Sequence, residues 1–89
     1  MSIRLVRSPV FEKEYSRLQE SIRLKVDERL ILFAINEFDQ ILNNHKLKFE
    51  YEGYRSINVT GDWRILFKKI NPECAFLYRV GTHHQLFGK

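Results

Sequence analysis

The sequence predicts a small α+β domain: an antiparallel sheet with two helices packed on one face, in the order strand–helix–helix–strand–strand–strand. Three observations carry this. Apolar residues recur at helical spacing through most of the first half and alternate at period two through the second. Two clusters of turn-forming residues, Thr60–Asp62 and Ile70–Glu73, cut the second half into pieces of strand length. The registers those turns impose also agree on a single apolar sheet face.

Ile3–Arg7, "IRLVR", alternates and reads as a short strand. Ser8 is a good N-cap and Pro9 a good first helical residue, and Phe11, Tyr15 and Leu18 follow at helical spacing, so a helix runs from Ser8 to about Gln19. Ser21 can cap a second helix, whose apolar face would run through Ile22, Val26, Leu30, Ala34, Phe38 and Ile41 or Leu42 to about Asn43. The continuous apolar run Leu30–Ile35 suggests burial on both sides of that helix. Arg55–Val59, Trp63–Lys69 and Cys74–Val80 read as strands, with Val59 paired to Trp63 and Lys69 to Cys74. That pairing collects Ile57, Val59, Trp63, Ile65, Phe67, Phe76, Tyr78 and Val80 on the face meant for the helices. Ser56, Asn58, Arg64, Leu66, Lys68, Leu77 and Arg79 fall on the other, with Arg64 directly opposite Arg79. Like charges so paired destabilise a sheet unless an anion sits between them.

A chain of 89 residues, 44% apolar and 29% charged, is expected to form one globular domain spanning residues 1–89. The longest apolar run, Leu30–Ile35, is far short of the roughly 20 residues of a membrane span. "MSIRLVRSPV" lacks an export signal, and the single cysteine, Cys74, excludes an internal disulfide, so a cytoplasmic location is expected. The net charge of +4 lies wholly in the second half, where eight basic side chains face four acidic ones. Such a bias suits a polyanion or an acidic protein partner, although a merely solvated basic surface is equally compatible with it.

The sequence has no HExxH, CxxC, GxSxG or glycine-rich phosphate loop, and neither a metal site nor a cofactor is expected. Cys74 falls on the core side and reads as a small buried thiol rather than a nucleophile. The adjacent His83 and His84 point different ways and do not suit one metal. What remains is acid–base chemistry beside a basic face. RNA cleavage through the ribose 2′-OH needs a base, cations for the crowded phosphorane and an acid for the leaving oxygen. Arg64, Arg79, Lys46 and Lys48 are candidate cations; Asp62, His45, His83 and His84 are candidates for proton transfer; Phe87 is a candidate to stack an unpaired base. Each also has a plain structural alternative: Asp62 as a turn cap, His45 as a helix end, Arg79 as a solvated strand residue.

The strings "EGYRSINVTGDWRILFKK" and "YRVGTHHQLFGK" resemble the RelE/ParE toxin superfamily, and within it the YafQ-like branch of RelE-type toxins. The match is close over the last forty residues and loose over the helices. The resemblance implies the toxin of a type II toxin–antitoxin system, a ribosome-dependent endoribonuclease. Its partners would be mRNA in the decoding A site of the 70S ribosome and a cognate antitoxin protein. It assigns catalysis to His45, Asp62, Arg79 and His83 and the positioning of the substrate base to Phe87; with Phe87, Lys46, Lys48, Arg55, Asn58 and Arg64 are expected to bind the RNA. His84 occupies a variable position in the pattern. The family can carry a histidine where this chain has Asn58, and asparagine hydrogen-bonds without shuttling a proton. Two alternatives on the same fold are a ParE-like poison of DNA gyrase and a non-catalytic nucleic-acid-binding module.

Overall fold

A computed structural model describes residues 2–88; Met1 and Lys89, the latter among the basic residues counted above, lie outside the described residues. Five strands form one mixed sheet: β1 (Arg4–Arg7), β2 (His45–Lys46), β3 (Arg55–Asn58), β4 (Trp63–Asn71) and β5 (Cys74–Thr82), in the spatial order β1-β5-β4-β3-β2. Helices α1 (Pro9–Ser16) and α2 (Glu20–Ile35) cover one face, and a short third helix, α3 (His83–Phe87), follows β5.

The start of α1 is as expected. The Ser8 side chain accepts from Phe11 N at 2.9 Å, with Pro9 in the first turn. Ser8 does more than cap. Its Oγ donates to Tyr78 O at 2.7 Å and its N–H donates to Leu77 O at 2.9 Å, which fastens α1 to the edge of β5. Tyr15 Oη donates to Asp27 at 2.7 Å and ties α1 to α2. Burial raises the Tyr15 pKa, and the hydrogen bond and charge of Asp27 raise it further. The core between helices and sheet holds Phe11, Val26, Leu30 and Phe33 against Ile57, Ile65, Phe67 and Leu77.

Several expectations are corrected. The sheet is not purely antiparallel, because β1 runs parallel to β5; periodicity carries no information about the direction of strands distant in sequence. The second helix stops at Ile35 rather than near Asn43, although Phe38 and Ile41 continue its apolar spacing. Its buried face holds Phe33, and Ile31 and Ile35 are 65% and 70% exposed, so the run is not buried on both sides. The chain then makes a 3-10 turn capped by Asp39 and enters β2, a two-residue strand too short to show any periodicity.

The β3–β4 register is the one expected, with Asn58 opposite Arg64 and Val59 N donating to Trp63 O at 2.9 Å. The β4–β5 register is not. Asn71 pairs with Cys74, so the turn is tighter than a four-residue loop, and a second irregularity lies between Leu66 and Phe67. Between the two shifts the facing is inverted. Ala75 and Leu77 enter the core, while Phe76 and Tyr78 leave it. Beyond Tyr78 the faces return to those expected. Leu66 pairs with Arg79, and Arg64 pairs with Gly81 rather than with Arg79.

The face away from α1 and α2 is not simply open and polar. Leu66, Leu86 and Tyr51 form a second small apolar cluster on it, with Tyr54, Tyr78 and Phe87 packed alongside. The C-terminal stretch is α3 rather than an extended tail, and it needs Gly81 for space, not for a sharp turn. A Cβ on Gly81 would lie 3.1 Å from Gln85 Oε1 and 3.3 Å from Leu86. Gln85 cannot easily yield, because its side chain accepts from Thr82 N at 2.9 Å in a capping box.

Candidate functional site at the Asp62–His83 end of the sheet

The strand registers set two rows of side chains across the helix-free face. One row reads His45, Ser56, Leu66, Arg79 over β2, β3, β4 and β5; the next reads Asn58, Arg64, Gly81. His45 and Arg79 therefore share a row but stand three strand spacings apart, about 14 Å between backbones. Exposed His45 donates its Nδ1–H to Asn43 O at 2.7 Å.

Four of the expected residues gather at the other end of that row. His83 N donates to Asp62 O at 2.9 Å, joining the β3–β4 turn to the first turn of α3, and both side chains are exposed. The His83 ring lies 4.8 Å from the ring of Phe87, one helical turn on. Phe87 meets Tyr51 edge to face at 5.6 Å, and Arg79 Nη1 donates to Tyr51 Oη at 3.3 Å. Tyr51 Oη in turn donates to Leu86 O at 2.9 Å. A continuous path of contacts thus links Asp62, His83, Phe87, Tyr51 and Arg79. It runs through His83 and not through its neighbour His84.

Arg79 is held from behind. Glu14 on α1 accepts from its Nε at 3.0 Å and from its Nη2, and also accepts from Val80 N at 3.0 Å. This hydrogen bond raises the Arg79 pKa further above its ordinary value, so the group is a permanent cation. A guanidinium has five N–H donors. Three serve Glu14 and Tyr51, which leaves one donor on Nη1 and one on Nη2 without a partner among the described residues.

Arg64 and Arg79 do not confront one another. The Arg64 guanidinium donates to the carbonyls of Thr60, Gly61 and Trp63 at 3.0–3.1 Å and so closes the turn that presents Asp62. Among the described residues, the buried Oδ1 of Asn58, its cross-strand neighbour, has no hydrogen-bond partner, and neither has the buried Oγ of Ser56 two residues away. Arg55 stands apart from these residues. It pairs with Phe67 on the helix-covered side, donates to Asn44 Oδ1 at 2.7 Å and lies over the Phe38 ring. Arg55, Lys46 and Lys48 instead line a cleft of about 750 Å³ at the far end of the sheet. Cys74 is buried, and among the described residues no group of three or more His, Cys, Asp or Glu side chains could hold a metal ion. Sequence reading missed Tyr51 and Glu14. Tyr51 sits in an aromatic-rich stretch that gave a weak signal, whereas nothing in the sequence distinguishes Glu14 from the other acids of the helices.

Two solved structures share this architecture. The DinJ–YafQ toxin–antitoxin complex of Escherichia coli matches with a TM-score of 0.77 at 24% identity, over 99% of this chain and 100% of that one. The YoeB/ParE toxin from Agrobacterium tumefaciens matches with a TM-score of 0.74 at 16% identity, over 91% and 99%. These likenesses establish the fold as that of the RelE/ParE-type toxins. The family model for the bacterial toxin of type II toxin–antitoxin systems, YafQ, matches residues 3–88. Curated mRNA interferase toxins YafQ from two E. coli strains, B/BL21-DE3 and K12, are 32% identical over 76 residues, 85% of this chain and 75% of theirs. The chain belongs to the YafQ family of type II toxin–antitoxin toxins.

Proposed function

We propose that this toxin is an endoribonuclease that cuts mRNA in the ribosomal A site by general acid–base catalysis, and that a cognate antitoxin restrains it. The observation that carries this reading is the chain of contacts from the Asp62 backbone through His83, Phe87 and Tyr51 to Arg79, which gathers candidate proton-transfer residues, an aromatic and a fixed cation at one end of the sheet. The YafQ relatives are named mRNA interferases, which supports the same reaction class.

In this mechanism the mRNA ribose 2′-oxygen attacks the adjacent phosphorus, and the P–O5′ bond breaks. Asp62 or His45 takes the 2′-OH proton: a carboxylate at neutral pH can only accept one, and a neutral imidazole can do likewise. The free edge of the Arg79 guanidinium faces the negative charge that builds on the phosphorane. His83 gives its proton to the departing 5′-oxygen. Phe87 holds the base next to the scissile bond, Arg64 supports the RNA site by closing the turn that carries Asp62, and Asn58 offers hydrogen bonding on the same face without proton transfer. The products are a 2′,3′-cyclic phosphate and a 5′-hydroxyl. The reaction is confined to the cytoplasm, where translating 70S ribosomes present the message, and the residues named suffice for every step without a metal ion.

The product ends test the chemistry. Fragments released from a translating message are expected to carry 5′-hydroxyls that polynucleotide kinase labels without prior phosphatase. Ends bearing 5′-phosphate and 3′-hydroxyl would contradict attack by the 2′-oxygen.

A further inference from the structure

The cleft at the other end of the sheet is not used by the chemistry above. Five cations line it, Lys46, Lys48, Arg55, Lys68 and Lys69, against the single carboxylate of Glu52. Lys69 is paired with Glu37 at 3.0 Å and Arg55 donates to Asn44, while Lys68 Nζ lies 5.6 Å from the centre of the Tyr54 ring, a contact that leaves its charge unneutralised. Lys46, Lys48 and Lys68 carry the remaining excess of positive charge.

Phe49 stands at this cleft and is 90% exposed, the most exposed large apolar side chain among the described residues. Its backbone is left-handed, with φ of 59°. That conformation is unfavourable for a bulky side chain and persists only where the surroundings impose it. Its sequence neighbours Lys48 and Glu50 are exposed and charged, while Leu47 and Tyr54 line the same cleft. The exposed apolar side chains suited to a protein partner, Leu24, Ile31 and Ile35, instead share one face of α2. An exposed aromatic ring among cations is the arrangement that holds single-stranded nucleic acid, with a base on the ring and phosphates on the cations.

We infer that Phe49 is a stacking platform for an unpaired RNA base, and that Lys46, Lys48 and Lys68 receive the phosphates beside that base. The inference rests on the reading of this toxin as an RNA-binding enzyme, but it assigns a second contact, remote from Asp62 and His83, that fixes the strand without touching the scissile bond.

Phe49→Gly separates binding from stability. Glycine adopts the left-handed backbone freely, so this variant is expected to melt at or above the wild-type temperature. It is also expected to bind a fluorescein-labelled, mixed-sequence single-stranded RNA about 5- to 150-fold more weakly by anisotropy, the effect of losing one base stack. Phe49→Asn, which tolerates the same backbone and cannot stack, is expected to match it, and Phe49→Tyr is expected to bind as wild type does. Equal RNA affinity in wild type and Phe49→Gly would overturn the inference. So would RNA affinity unchanged alongside weakened binding of the antitoxin, which would make Phe49 a protein contact. Failure of the wild type itself to bind this free RNA would also overturn the inference, whereas the functional reading beneath it stands or falls separately on the product ends from ribosome-bound message.

Discussion

Glu14 is the residue whose replacement most sharply tests how Arg79 is set. In Glu14→Ala the guanidinium loses two of its three contacts, and Val80 N loses its acceptor at a sheet edge that β1 no longer covers. The unpaired backbone N–H costs about 1–3 kcal/mol. The ion pair, with side chains 28% and 21% exposed, lies between surface and buried cases and adds about 1 kcal/mol. A total of about 2–4 kcal/mol leaves a domain of ordinary stability folded but melting lower. Activity is expected to fall separately, because a guanidinium free to swing no longer meets the phosphorane in place. A displacement of about 1 Å can cost on the order of 100-fold. Single-turnover cleavage of a ribosome-bound message, measured for wild type, Glu14→Ala, Arg79→Ala and the double variant below their melting points, gives the answer. If Glu14 acts through Arg79, its removal lowers the rate in the wild-type background and changes nothing further once Arg79 is gone. A rate that rises in Glu14→Ala would show the carboxylate competing with phosphate, and an equal loss in both backgrounds would show a role independent of Arg79. Either result refutes the reasoning.

Three further outcomes are expected. His83→Ala should abolish growth arrest through a loss of about 10²–10⁴-fold in rate while retaining the fold and antitoxin binding, and His84→Ala should remain toxic; a growth assay with both variants decides. Ser8→Ala removes an N-cap and the donor to Tyr78 O together, so thermal or urea melts should show a loss of about 2–3 kcal/mol. Tyr15 has a raised pKa, so its neutral form favours the fold: that contribution is complete below the unfolded value of 10.0 and is lost as pH rises through the folded value. Melting curves taken into alkali should therefore decline less steeply for Tyr15→Phe than for wild type.

Much of the fold was legible because local chemistry decides it. Ser8 and Pro9 announce α1, and the Thr60–Asp62 turn is short enough to dictate the register of β3 on β4. What escaped was set by longer-range terms. The tight turn at Asn71–Cys74 and the irregularity beside Leu66 each shift the register of β5, and together they hide one another: Val80 and Arg79 face as expected while Ala75, Phe76 and Leu77 are reversed. β2 exists only because β3 is there to pair with it. In the candidate site, Asp62, His83, Phe87 and Arg79 could be named from the motif, and the structure gathers them at one end. Glu14 could not be named, because its partner lies 65 residues away. Arg55 looked equivalent to the other cations, yet the alternation of β3 turns it toward Phe38.

The central claim is that this constellation cuts translated mRNA, and primer extension on a highly translated message after induction in living cells tests it most directly. The wild type is expected to produce new 5′ ends within codons, and Arg79→Ala and His83→Ala, expressed to the same level, are expected to produce none. Intact messages under wild-type induction, accompanied by a DNA-damage response, would contradict the account and point instead to a gyrase poison on the same fold.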